Sequence, residues 1–440
     1  MGLGLRTRKD DLGSAPLERS VLSGDVQLIT PTSGQPTPLS SYNSPSGARV
    51  RIATSDQEVE ALRNYWARWC NHPGCDIDHF LNENRLHSTV LRSHVIVVER
   101  NGRPDCMLLG RLLEERFPLS FGGTKVTLPR VRMVRFLRQG FLGSQSPENA
   151  ELLVNALLES TKQRDVDLVE LRSIPVESAL FAYALQQPSW FSRDSLIMES
   201  PRYQVTIPES AAKFSSDLPR KTRQQLSRQF RHLEREFAGD IQVQCLSSLP
   251  DFDHLLNVAA RISGNTYQGE LGTGFVNTPA IREELACDLE KRRLRGYVLV
   301  AGGTPCAFLI GKQFNETYYV RFMGYDPAFS AYSPGLLLLQ RVIEDLISCR
   351  QLLGINRLDL GNGDLRYKRG FADKHWQEAT LYIYAPSVRG LLIKALKTTV
   401  VAAYRLAKYV VDRTDHRDAF IRKWRQFQVF SKKTVAAKRG

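Results

Sequence analysis

Two stretches near residues 320–370 hold residues whose types and spacing could do chemistry. The first runs from Tyr318 to Leu346: an extended segment, then Ser333-Pro334-Gly335, then an apolar helical repeat. A helix that opens at Ser-Pro-Gly leaves backbone N–H groups free at its start. Those donors, with the helix dipole, suit a phosphate or pyrophosphate. Gly335 allows close approach to the backbone, and Pro334 fits a first helical turn. The second stretch, Leu358-Asp-Leu-Gly-Asn-Gly-Asp-Leu-Arg-Tyr-Lys-Arg-Gly-Phe371, reads as a strand ending in a polar, glycine-rich loop. It carries Asp364, Tyr367 and Lys368. The first stretch has the character of a cofactor cradle, the second of a catalytic edge.

The elements around these stretches predict a mixed α/β fold. Strand-turn-strand patterns occur at His94–Glu99, Asn101-Gly102 and 106–113, and again at 297–300, Gly302-Gly303 and 306–312. Their matching positions predict two similar halves. Helical periods fall at 56–70, 148–163, 178–187, 215–237, 248–267, 279–293 and 334–350, with strands at 166–171, 203–207, 317–325, 356–361 and 379–384. Residues 1–48, rich in Ser, Thr, Pro and Gly, read as a disordered tail. The expected divisions are therefore a tail over 1–48, a first domain over 49–202, a second over 203–386 and a helical extension over 387–440.

The chain of 440 residues has a net charge of +14, and that charge is local. Residues 389–440 hold 14 Lys/Arg against three Asp, and residues 214–237 hold six Lys/Arg against three acids. The rest is neutral overall, so the composition does not mark a generally nucleic-acid-binding surface. On a helix over 388–411, Lys394, Lys397, Arg405 and Lys408 fall within about an 80° sector. That stripe reads either as a solvated face or as contact with anionic lipid or an acidic partner. The seven cysteines are scattered, with no CxxC pair and no zinc spacing near His72 and His79. They fit reduced thiols in a cytoplasmic protein. No signal-peptide core and no membrane span are expected.

Three segments in order resemble one family. They are Leu218-Pro-Arg-Lys-Thr-Arg-Gln-Gln-Leu-Ser-Arg-Gln-Phe-Arg-His-Leu-Glu234, Tyr325-Asp-Pro with Ser333-Pro-Gly, and Asp359-Leu-Gly with Gly363-Asp-Leu-Arg-Tyr-Lys368. Together they look like the FemA/FemB-like branch of the GNAT acyltransferases, the BioF-like or CelD-type acetyltransferase group. The motif-bearing part is 203–385, and 50–200 fits a degenerate first half.

The resemblance implies two tandem GNAT-like domains, acetyl-CoA or another acyl-CoA as donor, no metal, and a small amine as acceptor. Ser333, Gly335 and Leu336 would seat the pyrophosphate. Arg223, beside Arg220 and Lys221, would touch phosphates or lie on a solvated face. Tyr367 would protonate the leaving thiolate, Asp364 would orient or deprotonate the amine, and Lys368 would neutralise charge. Tyr267 and Gln268 would line the acceptor pocket. The loop 326–332 departs from the family in lacking a longer glycine-rich run led by Arg or Gln. Tyr367 also stands one residue closer to its Gly-Phe.

The expected function is N-acyl transfer to an amino sugar or other small amine in envelope or exopolysaccharide synthesis, at the inner membrane face or in the cytoplasm. Two alternatives stand beside it. One is a non-catalytic, membrane-peripheral assembly protein on the same scaffold. The other is an aminoacyl-tRNA-dependent transferase, against which stands the lack of an aromatic stacking platform or helical-hairpin insertion.

Overall fold

The computed structural model describes residues 42–43, 47–121, 124–266 and 274–412. Fourteen strands form one mixed sheet among these residues. In chain order they are β1 (Tyr42–Asn43), β2 (Arg49–Ala53), β3 (Val90–Ser93), β4 (Val95–Arg100), β5 (Arg103–Phe121), β6 (Thr124–Gly143), β7 (Leu168–Pro175), β8 (Met198–Thr206), β9 (Ile241–Leu246), β10 (Leu294–Ala301), β11 (Thr304–Phe314), β12 (Thr317–Tyr325), β13 (Arg357–Asn362) and β14 (Lys374–Tyr384). Their spatial order is β1-β2-β4-β5-β6-β7-β14-β8-β13-β12-β11-β10-β9, with β3 paired to β5. The architecture is the expected mixed α/β one.

The duplication is visible in the connectivity. Each half has a hairpin (β4–β5, β10–β11), a third antiparallel strand (β6, β12), a helix (Pro147–Thr161, Pro334–Ser348), and a strand parallel to the third (β7, β13). The closing strands are exchanged. β14 lies between β7 and β8, and β8 lies between β14 and β13. The division expected after 202 passes inside β8, so the two halves share a sheet. The described residues fall within one compact unit.

The Pro334–Ser348 helix buries Leu337, Leu338, Leu339, Val342, Ile343 and Leu346 against Leu299, Leu309, Tyr318 and Leu358. At roughly 1.5–3 kcal/mol for each buried aliphatic side chain, this face fixes where the helix begins. The helix expected over 215–237 is two, Ala211–Asp217 and Arg220–Glu236. Pro219 causes the break, because the residue before a proline avoids helical dihedrals and Leu218 is extended at φ −64°, ψ 139°.

Two expectations need correction. Tyr42 and Asn43, inside the expected tail, pair with Val50 and Arg49; the rest of 1–46 lies outside the described residues. The basic stripe of the Val388–Asp412 helix is only partly outward: Arg405 is exposed, Lys394 half-buried and Lys397 buried. Lys397 is buried, donating to Asp194 Oδ1 at 2.5 Å and to the Leu196 carbonyl at 2.7 Å. Lys394 donates to the Trp190 carbonyl, and Arg405 to that of Ile197 at 2.8 Å. Segment 190–197 turns these acceptors toward the helix, and buried acceptors must be satisfied. The opposite stripe, Val388, Leu392, Leu396 and Leu406, faces outward. The side chain of Lys408 lies outside what the structure describes. Among the described residues no helix is long and apolar enough to cross a membrane.

Candidate active site

The site begins with two parallel strands that part. β12 and β13 pair only from Thr317↔Arg357 to Tyr319↔Asp359, although β12 continues to Tyr325 and β13 to Asn362. Local chemistry bends both. β12 carries an extra residue against β11 between Ile310 and Gly311, and a bulge of this kind turns a strand. Gly311 is required there, because a Cβ would lie 2.5 Å from the Tyr318 ring. β13 kinks at Gly361, whose φ is +74° and whose N–H donates to Asp359 Oδ1 at 2.7 Å. The parted strands open on a cleft of ≈ 1320 Å³. The second half lines it with Lys312, Tyr319, Tyr325, Asp359, Tyr367 and Lys368; the first half lines it with His72, Arg111, Arg135, Arg138 and Arg172.

The structure brings some expected residues here and keeps others away. Tyr367, half-buried, and Lys368, buried, line the cleft. Burial pushes the Tyr367 phenol up to about 12. Lys368 Nζ donates to the carbonyls of Asn362 (2.6 Å) and Gly361 (3.2 Å). Burial pulls its ammonium down to about 8 against the opposing charge of Asp359, with Arg202 and Arg138 adding to the lowering.

Asp364 is not paired with Tyr367. It is exposed, accepts from Tyr203 Oη at 3.0 Å and pairs with Arg369 Nε at 2.9 Å, outside the cleft lining. Arg223 is also elsewhere: its Nη1 donates to the Ser215 and Ser216 carbonyls at 3.3 and 3.4 Å, closing the end of the preceding helix. Tyr267 and Gln268 lie outside the described residues.

Ser333, Gly335 and Leu336 open their helix as expected, beside Tyr325, whose ring a Cβ on Gly335 would touch at 3.4 Å. They do not line the cleft itself. Ser333 is left-handed (φ 51°), and its carbonyl accepts from Leu336 N–H at 3.0 Å while its own N–H donates to Ser330. Gly335 N–H makes no backbone bond among those described, and the helix start has neither a side-chain cap nor an acid in its first turn. The seat therefore offers an amide, a hydroxyl and the positive end of the helix dipole to an anion. These groups fit a pyrophosphate, though with fewer donors than the spacing implied.

Sequence reasoning missed the network beneath the cleft. Arg202, 2% exposed, donates from Nε to Asp359 Oδ2 at 2.8 Å and from Nη1 to Asn362 Oδ1 at 3.0 Å, and lies 3.7 Å from Glu378 Oε2. Asn362 and Trp376 also donate to Glu378. This lattice ties β8, β13 and β14 together at the point where β13 leaves β12. His72 was considered only for zinc. Its Nδ1 accepts from Gly74 N–H at 3.1 Å, which assigns its proton to Nε2. Burial, with the charges of Arg202, Arg138 and Lys312, holds its pKa well below the ordinary value. It is thus a neutral donor on the cleft wall.

Residues 220–369 match the model of the acetyltransferase (GNAT) domain. No curated protein matches the chain. Among solved structures, FemX is similar at 10% identity over 77% of this chain and 98% of that one, with a TM-score of 0.49. A tandem GNAT protein from the clavulanic acid biosynthesis pathway has 12% identity over 77% and 99%, with a TM-score of 0.43. The C-terminal domain of a putative lysylphosphatidylglycerol synthetase from Agrobacterium fabrum has 12% identity over 78% and 96%, with a TM-score of 0.46.

Proposed function

We propose that this chain, which carries a GNAT acetyltransferase domain over 220–369, moves an acyl group from an acyl-CoA to an amine in the cleft between its halves. The acceptor class we favour is an amino sugar or another small amine of envelope or exopolysaccharide synthesis. The observation that carries the reading is the parting of β12 from β13 at Tyr319 and Asp359, beside a helix start left open to an anion and a phenol facing the gap.

The donor supplies the activated thioester. The start at Ser333, Gly335 and Leu336 would hold its phosphates. The unpaired edge of β12 beyond Tyr319 offers main-chain groups along the gap. Tyr367 stays protonated at any working pH. Because its pKa of about 12 lies above that of an ordinary thiol, about 8.5, it stabilises the leaving sulfur by a hydrogen bond rather than by giving up the proton outright. Lys368 adds positive charge at the kink of β13.

The test is thermal unfolding with and without ~1 mM acetyl-CoA, followed by thiol release with a panel of amines. Binding to the native state must raise the midpoint. A saturable rise with amine-dependent thiol release supports the reading. No rise with acyl-CoAs of several chain lengths sinks it and favours the scaffold alternative.

A second reading concerns location. The Val388–Asp412 helix has an outward apolar stripe, and exposed Trp190 (73%) and Phe191 (60%) lie by its other face, where Lys394 covers the Trp190 ring. Residues 413–440 add nine Lys/Arg against two Asp. Apolar side chains beside such charge fit the surface of an anionic bilayer. Flotation with phosphatidylglycerol vesicles should recover the protein, and Leu392→Asp should release it. Equal recovery of both proteins, or none, removes this reading.

A further inference from the structure

We infer that the acceptor carries an anionic group, a carboxylate or a phosphate, and that Arg138 receives it. This rests on the acyl-transfer reading of the same cleft.

The cleft wall holds more cations than carboxylates, and most of the cations are spent. Arg135 pairs with Glu115 and Glu170, Arg172 with Glu170, Arg202 with Asp359, and Lys312 and Arg321 with Glu284. Arg111 lies over the Phe80 ring and donates to that residue's carbonyl. Lys368 is held by two carbonyls.

The Arg138 guanidinium has no ion pair and no hydrogen bond among the described residues; only its carbonyl is engaged, accepting from Cys75 Sγ at 3.1 Å. It is half-buried, within the field of Arg202 and Arg172, whose charges oppose its own, and of Asp359 and Glu378, which favour it. A partly desolvated cation among cations is costly unless an anion meets it. A guanidinium presents a planar fork that fits carboxylate and phosphate equally.

The donor's phosphates do not account for this cation. Their proposed seat at Ser333–Leu336 lies outside the cleft lining, whereas Arg138 lies in it, near enough to Lys368 and His72 for its charge to act on both. Arg138 stands on β6, in the first half; Tyr367 stands in the second. An acceptor spanning the cleft would have its anion held by one half and its amine presented to the other.

The experiment compares acceptors that differ only in the anion: glucosamine 6-phosphate against glucosamine, and L-alanine against L-alaninamide, each with saturating acetyl-CoA. The anionic member of one pair should win by roughly tenfold or more in kcat/KM, as expected for a charge-assisted pair. Arg138→Gln should erase that preference and leave the acetyl-CoA thermal shift intact. The phosphate and carboxylate pairs distinguish the two sources. Equal use of neutral and anionic members, or a preference that survives Arg138→Gln, overturns the inference.

If acetyl-CoA neither shifts the midpoint nor turns over, the acyl-transfer reading has failed, and the anion site is read separately. Inorganic phosphate and acetate are then titrated against chloride at equal ionic strength. A saturable rise in midpoint that Arg138→Gln abolishes upholds the site, and the absence of any saturable rise in the wild type overturns it. Should Arg138→Gln fail to fold, Arg138→Lys keeps the charge but not the fork and should weaken the anion preference.

Discussion

The two halves contain the same mouth, and only one of them has an uncapped helix start beside it. In the first half β6 and β7 pair from Met133↔Leu168 to Phe136↔Leu171 and then part, as β12 and β13 do. Each mouth has an irregularity in the preceding hairpin, with a glycine under an aromatic ring: Gly110 under Phe136, and Gly311 under Tyr318. The helices that follow differ. The Pro147–Thr161 helix is closed by its own chain. Ser146 Oγ accepts from Asn149 N–H at 3.2 Å, Glu148 in the first turn lies 3.0 Å from Arg100, and buried Asn149 bonds Asp105 and the Ser144 carbonyl. The Pro334–Ser348 helix has no such cap and no acid in its first turn. The capped start spends its donors internally, which adds stability, and the uncapped start leaves them for a ligand. Both mouths face one cleft, the first contributing Arg135, Arg138 and Arg172, the second Tyr367 and Lys368. On the acyl-transfer reading proposed above, the difference would give donor binding to the second half and leave the first half to hold the acceptor.

The largest expected effect strikes what the mouths share. Arg202→Met leaves Asp359 and Glu378 buried without their cation, which should cost about 3–5 kcal/mol in chemical denaturation. A cost below 1 kcal/mol would mean that the lattice does not hold β13 in place. Tyr367→Phe should lower kcat by roughly 100-fold while the acetyl-CoA thermal shift persists. Equal loss of both would make Tyr367 a packing residue. Leu336→Glu gives the second helix start the acid that Glu148 gives the first. Since acids are favoured in a first turn, folding should survive, and acetyl-CoA affinity should fall by roughly tenfold, read by calorimetry. Unchanged affinity would move the phosphate seat away from this helix.

A pH effect follows from Lys368. Its folded pKa, about 8, lies below the unfolded value, so the folded protein binds fewer protons between them. Stability should therefore rise as pH climbs from about 8 toward 10.5, and Lys368→Met should lose that rise. The groups facing the ammonium are Asp359, which opposes the shift, and Arg202 and Arg138, which add to it. Parallel curves for the two proteins would show that the ammonium is solvated rather than buried.

Local signals were legible and distant partnerships were not. Ser333-Pro334-Gly335 and Tyr367-Lys368 announce themselves within a few residues; Tyr367 and Lys368 line the cleft, while Ser333 and Gly335 open a helix outside its lining. Asp364 was chosen because it is near Tyr367 in sequence, but its side chain turns to Tyr203 and Arg369. Arg202 meets Asp359 across 157 residues, a pairing no spacing rule reveals. The hairpin beyond Leu113 is hard to see in the sequence because charged residues interrupt its apolar ones. What suits them to strands is their partners, Arg132 with Glu114 and Arg135 with Glu115. On the Val388–Asp412 helix, the burial of Lys397 within the basic stripe is hidden from the sequence for a related reason. Amphipathicity gives the two faces, but which face turns inward depends on Asp194 and the carbonyls of 190–197, far from it in sequence.

The smallest expected effect tests the closed mouth. Ser146→Ala removes the cap of the Pro147–Thr161 helix and should cost about 1 kcal/mol of stability. Glu148 and Asn149 keep their own partners, Arg100 and Asp105, so the start remains occupied by protein groups. Acetyl-CoA affinity and the anion preference of the acceptor should be unchanged, since neither is drawn from this helix. A stability loss with unaltered ligand behaviour keeps the division of labour between the halves. A second acetyl-CoA bound per chain in Ser146→Ala, counted by calorimetry, would mean that a single hydroxyl separates the two mouths. The first half would then be a donor site held shut rather than an acceptor wall.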